Sequence, residues 1–483
     1  MRPKLLMLLY LIGVSLGLYL AFSHWSYDDP YITYRYAENI RHGLGFVYNP
    51  GEQVLSTTTP LFALLLAGLG FLGLELSHLA NGIGAISLAA GGLGLWALGR
   101  SWKLPWLSWT GLLLYPTFAL LLNTLGSETP LYLTLGIWAF ALYAGHQYGG
   151  AVLLSALAIL TRSDGVLIPA LIGLDYAWRN RNRLGQATFW RQQPWVSVGV
   201  ALAILLGWHI FAWVYFGSPF PITLAAKQNQ GAMLISTRFA PGLLRVVSWY
   251  VRRWQYWLEL SLVLIGIIGV FWRQRPALLF LSWAALYFLA YTALGVSSYF
   301  WYYAPLVPGW VLGVGLGISG LAALPIWKIP RVPEKTRTVV IGILLAALFA
   351  AQLHHLSLLR HSPDQRYPIY RAAGEWIAAN TDADVRVGAL EVGIIGYYAQ
   401  RKMLDFAGLI QPQVAQQLGE TTTYEDAALW AVDTYRPEIV LLFEGDFPRL
   451  QSGYLAEFCH LEHRFPGEDY QFQATLEVFA CSP

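Results

Sequence analysis

The sequence predicts an α-helical polytopic membrane protein that carries a small α/β domain at its C-terminal end. Three observations lead to this fold class. Of the 483 residues, 56% are hydrophobic and only 12% are charged, against roughly 25% charged in an average soluble domain. Long apolar runs follow one another up to about residue 360, and the remainder alternates between helical and strand patterns. A soluble globular enzyme, a disordered chain and a disulfide scaffold are therefore excluded.

The charge also divides the chain into two unlike parts. Residues 1–360 hold 23 Lys and Arg against 10 Asp and Glu, a balance of +13, whereas residues 361–483 hold 8 against 18, a balance of −10. We therefore predict a transmembrane domain over 1–360. The second part, 361–483, should be a domain outside the membrane that is long enough to bury its own core.

About eleven membrane spans are expected, within a range of eleven to thirteen. Many of the apolar runs approach the ~20 residues that a helix needs to cross ~30 Å of hydrocarbon. The uninterrupted runs are 5–22, 60–74, 81–98, 105–122, 129–144, 195–216, 258–272, 277–295, 303–324 and 338–353. A further segment, 149–178, is interrupted by four residues from Arg162 to Gly165, so it is either two short helices or one broken span. The first run follows Arg2 and Lys4 like a signal peptide, but it lacks a small-residue cleavage site and should be retained.

The positions of Lys and Arg predict which loops face the cytoplasm. The basic loops are the N-terminus, 179–191, 273–275 and 328–337. With these loops inside, the chain is a plasma-membrane protein with a cytoplasmic N-terminus and an extracytoplasmic tail, which requires an odd number of spans. Splitting 149–178 gives twelve, so eleven spans with 149–178 as one broken element is favoured. This choice places Arg100 and Lys103 on the outer side, in conflict with the same rule.

Two long loops, 23–59 and 217–256, face outward on this count. The second contains five cations and no acid, which departs from the usual enrichment of cations inside. Binding of an anion near the outer membrane face would explain the departure. The cations are Lys227, Arg238, Arg245, Arg252 and Arg253. For Lys227 the alternative is a side chain that only anchors the loop at the membrane surface.

The tail shows the alternation of a small α/β domain. Helical patterns cover 367–380 and about 423–435, with a helical turn between them, and strand patterns are VRVGAL, KMLDF, EIVLLF and FQATLEVFA. The order β-α-β-α-β is typical of such a domain. Cys459 and Cys481, the two cysteines of the chain, could form a disulfide outside the membrane or remain two buried thiols, and the sequence favours neither.

The first outer loop opens with the paired carboxylates Asp28 and Asp29, a few residues after the first helix. Carboxylates near the bilayer are costly unless they have a role, so catalysis is one interpretation. The other is that one of them caps the helix that starts at Pro30, and both can hold together. Tyr31 and Arg35 follow at helical spacing, on a face that is either directed at a site or solvated.

Further polar candidates sit at the ends of apolar runs. Glu128 could bind a ligand or only complement a helix dipole, Arg162 and Asp164 could bind a ligand or pair with each other, and Tyr302 and Tyr303 could be substrate contacts or interfacial aromatics. The sequence has no zinc-ligand spacing, P-loop or dinucleotide glycine pattern. No cofactor is therefore predicted, a divalent metal is left open, and no nucleic-acid partner is expected.

The segment 28–52, DDPYITYRYAENIRHGLGFVYNPGE, resembles the first outer loop of polyprenyl-phosphosugar-dependent glycosyltransferases of the GT-C superfamily. The sequence is most similar to relatives of the mycobacterial terminal arabinofuranosyltransferase, and the resemblance covers most of the chain. It continues through Thr57-Thr58-Thr59-Pro60-Leu61, Gly126-Ser127-Glu128-Thr129-Pro130, Leu160-Thr161-Arg162-Ser163-Asp164-Gly165, the segment 215–227, Gly393-Ile394-Ile395-Gly396-Tyr397-Tyr398 and Asp405-Phe406-Ala407-Gly408-Leu409.

The resemblance implies a catalytic base in the first outer loop, a lipid-phosphate sugar donor reached from the membrane, and a glycan or glycolipid acceptor outside. The base maps to the pair Asp28 and Asp29, with Asp28 the first choice. Aminoarabinose and protein-mannose relatives often carry a Lys before the second helix, where this chain has Thr58-Thr59-Pro60. This departure weakens the transfer of their lipid A or protein substrates.

The chemistry also fits the residues without the resemblance. Inverting transfer needs a base for the acceptor hydroxyl, and cations at the same depth suit the departing phosphate. The candidate phosphate ligands are Arg35, Arg41, Lys227 and Arg238. A transporter or flippase of lipid-linked sugar is the alternative, but it should place ionisable residues near the midplane of its helices, and the long apolar runs contain almost none. A third interpretation, a glycan-binding tail on a membrane anchor, leaves the Asp pair unexplained.

Overall fold

The computed structural model describes residues 3–273, 276–328 and 334–482, and about 68% of it is helical. The helices before the tail are α1 Pro3–Phe22, α2 Asp29–Arg41, α3 Pro60–Gly70, α4 Leu76–Ser101, α5 Pro105–Leu114, α6 Ala119–Leu122, α7 Thr129–Ala144, α8 Tyr148–Thr161, α9 Leu167–Arg179, α10 Ala187–Arg191, α11 Trp195–Phe216, α12 Thr223–Ala232, α13 Phe239–Tyr250, α14 Trp254–Arg273, α15 Pro276–Leu294, α16 Val307–Ala322 and α17 Glu334–Leu359. Of the predicted basic positions, Arg2, Arg275 and Arg331 lie outside the described residues.

Six helical segments in the described ranges are long and apolar enough to cross a membrane. They are Lys4–Phe22, Leu76–Ser101, Trp195–Phe216, Pro276–Leu294, Phe300–Ala322 and Lys335–Leu359. Shorter apolar helices complete the bundle, among them α7, α8 and the first part of α14. The protein is therefore a multi-pass membrane protein, as the sequence predicts.

Hydrogen bonds between helix ends define one end of the bundle. Asn81, near the start of α4, donates from its side chain to the carbonyl of Trp25 just after α1, and the Trp25 indole donates to the carbonyl of Asn123 after α6. The tail lies at this same end, because the hydroxyl of Tyr398 donates to Glu75 just before α4. We call it the tail end.

The chain passes eleven times between the tail end and the opposite end in the described residues. The passes are α1, α4, α5 with α6, α7, α8, α9, α11, α14, α15, α16 and α17. At the tail end, Arg162 after α8 forms an ion pair with Glu128 before α7. At the opposite end, Tyr143 near the end of α7 donates a hydrogen bond to Asp175 in α9. The number of passes agrees with the predicted eleven.

The segment 149–178 is where the assignment of passes differs from the prediction. It forms two passes, α8 and α9, that are joined by the 3-10 turn Ser163–Val166. Arg162 has an extended backbone, φ −154° and ψ 136°, which ends α8 and reverses the chain. The prediction of a single broken span was therefore wrong.

The candidate that does not cross is the run 60–74. Its helix α3 has 11 residues and is about 16 Å long, too short for ~30 Å of hydrocarbon. It lies alongside α2 at the tail end, because Thr59 just before it contacts Thr33 of α2 and Arg41 of α2 donates to the carbonyl of Gly70 at its last residue. The helix α4 that follows brings Arg100 and Lys103 to the end opposite the tail, which removes the conflict in the predicted topology.

Close helix packing depends on glycine where α14 lies against α16. A Cβ at Gly317 would overlap the backbone of Leu262, and one at Gly266 would overlap the carbonyl of Gly313. Small residues of this kind let two helix backbones approach closely. In a membrane this matters because the lipid is as apolar as the helices, so van der Waals packing, and not the hydrophobic effect, holds the helices together. These helices form the wall of the bundle beneath the residues 300–306.

The tail is an α/β domain built on a five-stranded mixed sheet. Its elements are helices α18 Arg366–Asn380, α19 Gly393–Ala399, α20 Pro412–Ala415, α21 Tyr424–Tyr435, α22 Pro448–Leu450 and α23 Ala456–Phe458, and strands β1 Arg386–Ala389, β2 Lys402–Asp405, β3 Ile439–Phe443, β4 Cys459–Phe465 and β5 Leu476–Cys481. The strand order is β2-β1-β3-β5-β4. β1 is parallel to β2 and β3, and the other pairs are antiparallel.

Four of the five strands correspond to predicted ones, and β4 was not predicted. Its sequence, CHLEHRF, is polar and mostly exposed at the sheet edge, so it lacks the apolar alternation of a strand. Cys459 on β4 lies opposite Cys481 on β5, and the two form a disulfide. This resolves the choice that the sequence left open.

The first loop and the tail share one hydrophobic core. Tyr31, Tyr34 and Tyr36 of α2 are buried in the same cluster as Ile377 of α18 and Val387 of β1. The loop 217–256 joins them at the tail end, where Asn229 and Gln230 of α12 donate to backbone carbonyls of the tail. The three segments predicted to share one side of the membrane are therefore packed together above the bundle.

Candidate functional site

A cavity of about 410 Å³ lies at the tail end, where α2, α7, α9, α12 and α15 meet. The cavity forms at this place because the ends of the apolar helices converge here, and polar residues flank these ends in the sequence. Its lining residues are Tyr27, Asp29, Pro30, Ile32, Thr33, Ser56, Thr57, Thr58, Thr59, Ser127, Glu128, Arg162, Ser163, Asp164, Val166, Leu167, Phe220, Pro221, Thr223, Leu224, Lys227, Ala290, Tyr291, Leu294, Val296, Trp301, Tyr302 and Leu409. Leu409 comes from the tail, so all three outer segments contribute.

One wall of the cavity is an ion-pair network centred on Arg162. Its guanidinium binds Glu128 at 2.9 Å and Asp164 at 3.0 Å. Tyr291 of α15 accepts from Arg162 at 2.8 Å and donates to Asp164 at 2.7 Å. The predicted pairing of Arg162 with Asp164 is confirmed, and Glu128 is a third member rather than only a dipole partner. Two carboxyl groups therefore share one cation in this buried group.

This network gives the first testable prediction. Arg162→Met leaves the carboxyl groups of Glu128 and Asp164 buried without a cation, so we expect a loss of about 3–5 kcal/mol in folding free energy. The control is Arg179→Met, which removes an exposed pair with Asp175 at the opposite end of the bundle and should cost under about 1 kcal/mol. Denaturant unfolding in detergent micelles measures both. Equal losses in the two variants would contradict this account of the network.

Lys227 of α12 brings a positive charge to the cavity. Its side chain is 7% exposed, and its ammonium lies 3.8 Å from the ring centroid of Tyr299, a cation–π contact. In the described ranges the ammonium has no hydrogen bond and no carboxylate within ion-pair distance. The Lys227 charge acts through space on the carboxyls of Glu391 and Asp405, whose pKa values it lowers against the effect of burial. A buried cation with no direct ion pair is costly, so this position is suited to an anionic ligand.

Asp29 brings a negative charge to the same cavity. It is the first residue of α2 and lines the cavity. Within the part of the chain that the structure describes, no ion pair or hydrogen bond engages its carboxylate. Asp29 and Lys227 thus differ from the Arg162 network, whose charges bind one another.

Asp28 points the other way, into the tail. It is 7% exposed, and its two carboxylate oxygens accept from the backbone N–H groups of Gly393 at 3.0 Å and Ile394 at 2.8 Å. It makes no side-chain hydrogen bond to its own helix α2, so it is not the cap that the sequence suggested. As a candidate base it is therefore displaced by Asp29, since both of its oxygens are engaged away from the cavity.

Three buried carboxyl groups where the first loop meets the tail have raised pKa values. Burial raises the pKa of Asp28 and that of Glu391, and the two carboxyls interact. Burial also raises the pKa of Asp405 to about 6, against three backbone N–H bonds that lower it. For Tyr299, burial together with the charges of Asp29 and Glu391 raises the pKa to about 12, so its hydroxyl is neutral at physiological pH.

Arg35, Arg41 and Arg238 do not line the cavity, which contradicts their prediction as phosphate ligands. Arg35 is buried and donates to the carbonyls of Tyr48, Gly396 and Arg401, so it joins the first loop to the tail. Arg41 pairs with Glu38 at 2.6 Å and Arg238 donates to the carbonyl of Gly231 at 3.1 Å. Their guanidinium groups bind other groups of the protein and are not directed at an open site for an anion.

Tyr31 and Tyr303 are also outside the cavity, whereas Tyr302 lines it. The hydroxyl of Tyr31 accepts from Ser26 at 2.9 Å. Tyr303 is stacked on Phe239 and donates to its backbone carbonyl at 2.6 Å. Both are buried inside the protein, so Tyr303 is not an interfacial aromatic, and neither is positioned to contact a ligand in this cavity.

Sequence reasoning missed three threonine hydroxyl groups and two aromatic residues of the site. Trp301 lines the cavity, and Tyr299 contacts the Lys227 ammonium. Thr33, Thr57 and Thr59 are buried with their hydroxyl oxygens 3.2–3.4 Å apart, on the wall beside Asp29. The run Thr57-Thr58-Thr59 was visible as a motif, but its role depends on contact with α2. The sequence did not single out Tyr299 and Trp301 as site residues, because they lie in an aromatic stretch that is equally typical of a membrane interface.

A smaller cavity of about 240 Å³ continues from the first between α8 and α11. It shares six residues with the main cavity and is otherwise lined mainly by apolar side chains; the shared residues are Thr57, Thr58, Ser163, Val166, Phe220 and Pro221. Val166 and Phe220 are 53% and 66% exposed. The main cavity therefore has an apolar continuation that reaches the surface of the bundle. Among the described residues, no group of three His, Cys, Asp or Glu could hold a metal ion.

The fold is GT-C-like, as its similarity to two solved membrane-protein structures shows. A structure of ArnT from Cupriavidus metallidurans bound to undecaprenyl phosphate is similar to this chain with a TM-score of 0.62 and 15% identity, over 98% of this chain and 97% of that chain. The archaeal oligosaccharyltransferase AglB from Archaeoglobus fulgidus, in complex with an inhibitory peptide and a dolichol-phosphate, is similar with a TM-score of 0.58 and 13% identity, over 98% of this chain and 74% of that chain.

Sequence comparison adds one match. Residues 358–480 match a family described as a domain of unknown function (DUF8728), and no curated protein matches the chain. The structural likeness shows a GT-C fold, as the resemblance of the first loop implied, and it does not distinguish arabinofuranosyltransferase relatives from other proteins with that fold.

Proposed function

We propose that this protein transfers a sugar from a polyprenyl-phosphate donor to a hydroxyl group of an extracytoplasmic glycan or glycolipid, with inversion. The observation that carries the proposal is the cavity that both Asp29 and Lys227 face, each without an ion-pair partner in the described residues. Arabinofuranose, another pentose or a hexose are the candidate sugars, and arabinofuranose rests on the resemblance of the first loop.

The two charges suit the two ends of one displacement. The acceptor oxygen attacks the anomeric carbon, and the bond from that carbon to the phosphate oxygen breaks. Asp29 takes the hydroxyl proton, and Lys227 stabilises the charge that develops on the departing polyprenyl phosphate. A single displacement inverts the anomeric centre. The Arg162 network, Tyr302 and the three threonine hydroxyl groups then surround the sugar.

The donor lipid fits the shape of the two cavities. The phosphate would lie in the polar cavity beside Lys227, and the polyprenyl chain would leave through the apolar continuation past Val166 and Phe220. The similar structures of ArnT and AglB contain undecaprenyl phosphate and a dolichol-phosphate, which supports this class of lipid. A lipid carrier also removes the need for a nucleotide-binding domain.

Product analysis tests the proposal. The purified full chain is incubated with a panel of polyprenyl-phosphate sugars and a glycan acceptor mixture, and products are identified by mass. We expect a new glycoside and free polyprenyl phosphate in equal amounts. Movement of intact lipid-linked sugar across a vesicle bilayer, without any glycoside, would contradict the proposal and support a flippase.

The proposed sidedness has its own test. Ser452 lies on the tail surface and Asn182 in the basic loop at the opposite end, and both are exposed. Cysteine at position 452 should react with an impermeant thiol reagent in sealed cells, and cysteine at position 182 should react only after permeabilisation. Labelling of position 182 in sealed cells would overturn the orientation. Gln230 of the loop 217–256 is unsuitable for this labelling because its side chain is buried against the tail.

A further inference from the structure

Two neighbouring carboxylates leave the start of α2 in opposite directions. The Asp29 side chain lines the cavity, and the Asp28 side chain binds the first turn of α19 in the tail. Because the two residues share a peptide bond, the backbone position that Asp28 fixes is also the position from which Asp29 reaches the cavity. The tail is thereby attached directly to the residue next to the proposed base.

The contact between Asp28 and α19 consists of two hydrogen bonds and a close approach of the two backbones, which leaves no room for a side chain at Gly393. Each carboxylate oxygen accepts one backbone N–H, at 3.0 Å from Gly393 and 2.8 Å from Ile394. A Cβ at Gly393 would overlap both the backbone carbonyl and the carboxylate of Asp28. Glycine is therefore required at this position for the backbones to approach, and any larger residue would push the start of α2 away from the tail.

Other hydrogen bonds between the first loop and the tail are made by residues farther along the chain from the proposed base. Asn49 donates to the carbonyl of Met403 and accepts from its N–H, both at 2.9 Å, and Tyr48 donates to the carbonyl of Val392. Asn49 makes the same number of backbone bonds to the tail as Asp28 does, but it is 21 residues farther along the chain and does not line the cavity. It therefore provides a matched comparison.

We infer that Asp28 is a positioning residue, which holds the carboxylate of Asp29 toward the cavity by binding the first turn of α19. The inference rests on the proposed function, in which Asp29 is the base. It makes the tail a structural part of the active site, in contrast to an independent glycan-binding module. Disturbance of the contact should lower the rate of transfer more than the affinity for the lipid, since Lys227 belongs to another element.

The test compares four variants of the full chain: Asp28→Ala, Asp28→Asn, Gly393→Ala and Asn49→Ala. Transfer kinetics are measured with a donor accepted by the wild type, and binding is measured with free undecaprenyl phosphate. Misplacement of a reacting group by about 1 Å can cost about 100-fold. We expect kcat to fall at least tenfold in Asp28→Ala and Gly393→Ala, with the Kd for undecaprenyl phosphate unchanged within twofold.

The remaining two variants separate positioning from other roles. Asp28→Asn keeps one acceptor oxygen, so its kcat should lie between those of the wild type and Asp28→Ala. Asn49→Ala should keep its kcat within threefold, whereas a general need for tail docking would lower it as much as Asp28→Ala. If Asp28→Ala does not fold, Gly393→Ala carries the same test from the other side of the contact.

Three results would overturn the inference. One is a kcat within twofold of the wild type in Asp28→Ala and Gly393→Ala. A second is equal loss in Asp28→Asn and Asp28→Ala with full activity in Gly393→Ala, which would make the Asp28 carboxylate itself the base. The third is equal loss in Asn49→Ala. Failure of the proposed function is distinguishable, because the wild type would then form no glycoside. Failure of the assignment of Asp29 as the base would appear as full activity in Asp29→Asn.

Discussion

Asp29→Asn is expected to lower sugar transfer by about 10²- to 10⁴-fold, the range that a positioned general base contributes. The substitution keeps the size of the side chain and removes its ability to take the acceptor proton. Binding of undecaprenyl phosphate and thermal unfolding should stay close to the wild type, because the Asp29 carboxylate has no partner among the described residues. Initial rates at saturating donor measure the loss.

The control for this variant is Asp382→Asn on the exposed surface of the tail, which should retain full activity. A rate in Asp29→Asn within a few-fold of the wild type would show that the proton is taken by another group. In that case the carboxyls of Glu128 and Asp164 would be examined next, since they line the same cavity.

Lys227→Ala should raise the apparent donor KM, or lower kcat, by roughly 10- to 150-fold. This range corresponds to the loss of a charge-assisted hydrogen bond of about 1.5–3 kcal/mol to the donor phosphate. Lys227→Gln should behave like Lys227→Ala if charge is what matters. Steady-state kinetics with varied donor concentration separates the effect on KM from the effect on kcat.

The other cations of the loop 217–256 are the matched controls. Arg238 is occupied by the carbonyl of Gly231, and neither it nor Arg253 lines the cavity. Their alanine variants should change the kinetics by a few-fold at most. Uniformly small effects in all three variants would mean that Lys227 only anchors the loop at the membrane surface.

The sequence predicted most of the bundle because a membrane imposes local requirements on composition. Apolar length and flanking cations are properties of a segment by itself. The error at α3 has a physical cause, since Phe62 and Leu66 are buried against the first loop and the tail instead of facing lipid. An apolar side chain has the same sequence signal in both environments.

The site was predicted in part for a related reason. Glu128, Arg162, Asp164 and Lys227 are ionisable residues beside apolar runs, which is a local signal, and the structure brings them to one cavity. The choice between Asp28 and Asp29 depends on a contact with Gly393, 365 positions away along the chain.

The misplacement of Arg35 has the same origin. Its carbonyl partners Gly396 and Arg401 are 361 and 366 positions away. Contacts at such sequence separation cannot be predicted from the local residue pattern. Without knowledge of them, a buried structural arginine cannot be told from a phosphate ligand.

A structure of the full chain with bound undecaprenyl phosphate tests the central claim most directly. The account predicts the phosphate in the main cavity, with an oxygen about 2.7–2.9 Å from the Lys227 ammonium, and the polyprenyl chain in the apolar continuation past Phe220. A phosphate bound elsewhere on the protein, with the cavity between Asp29 and Lys227 free of lipid, would contradict it.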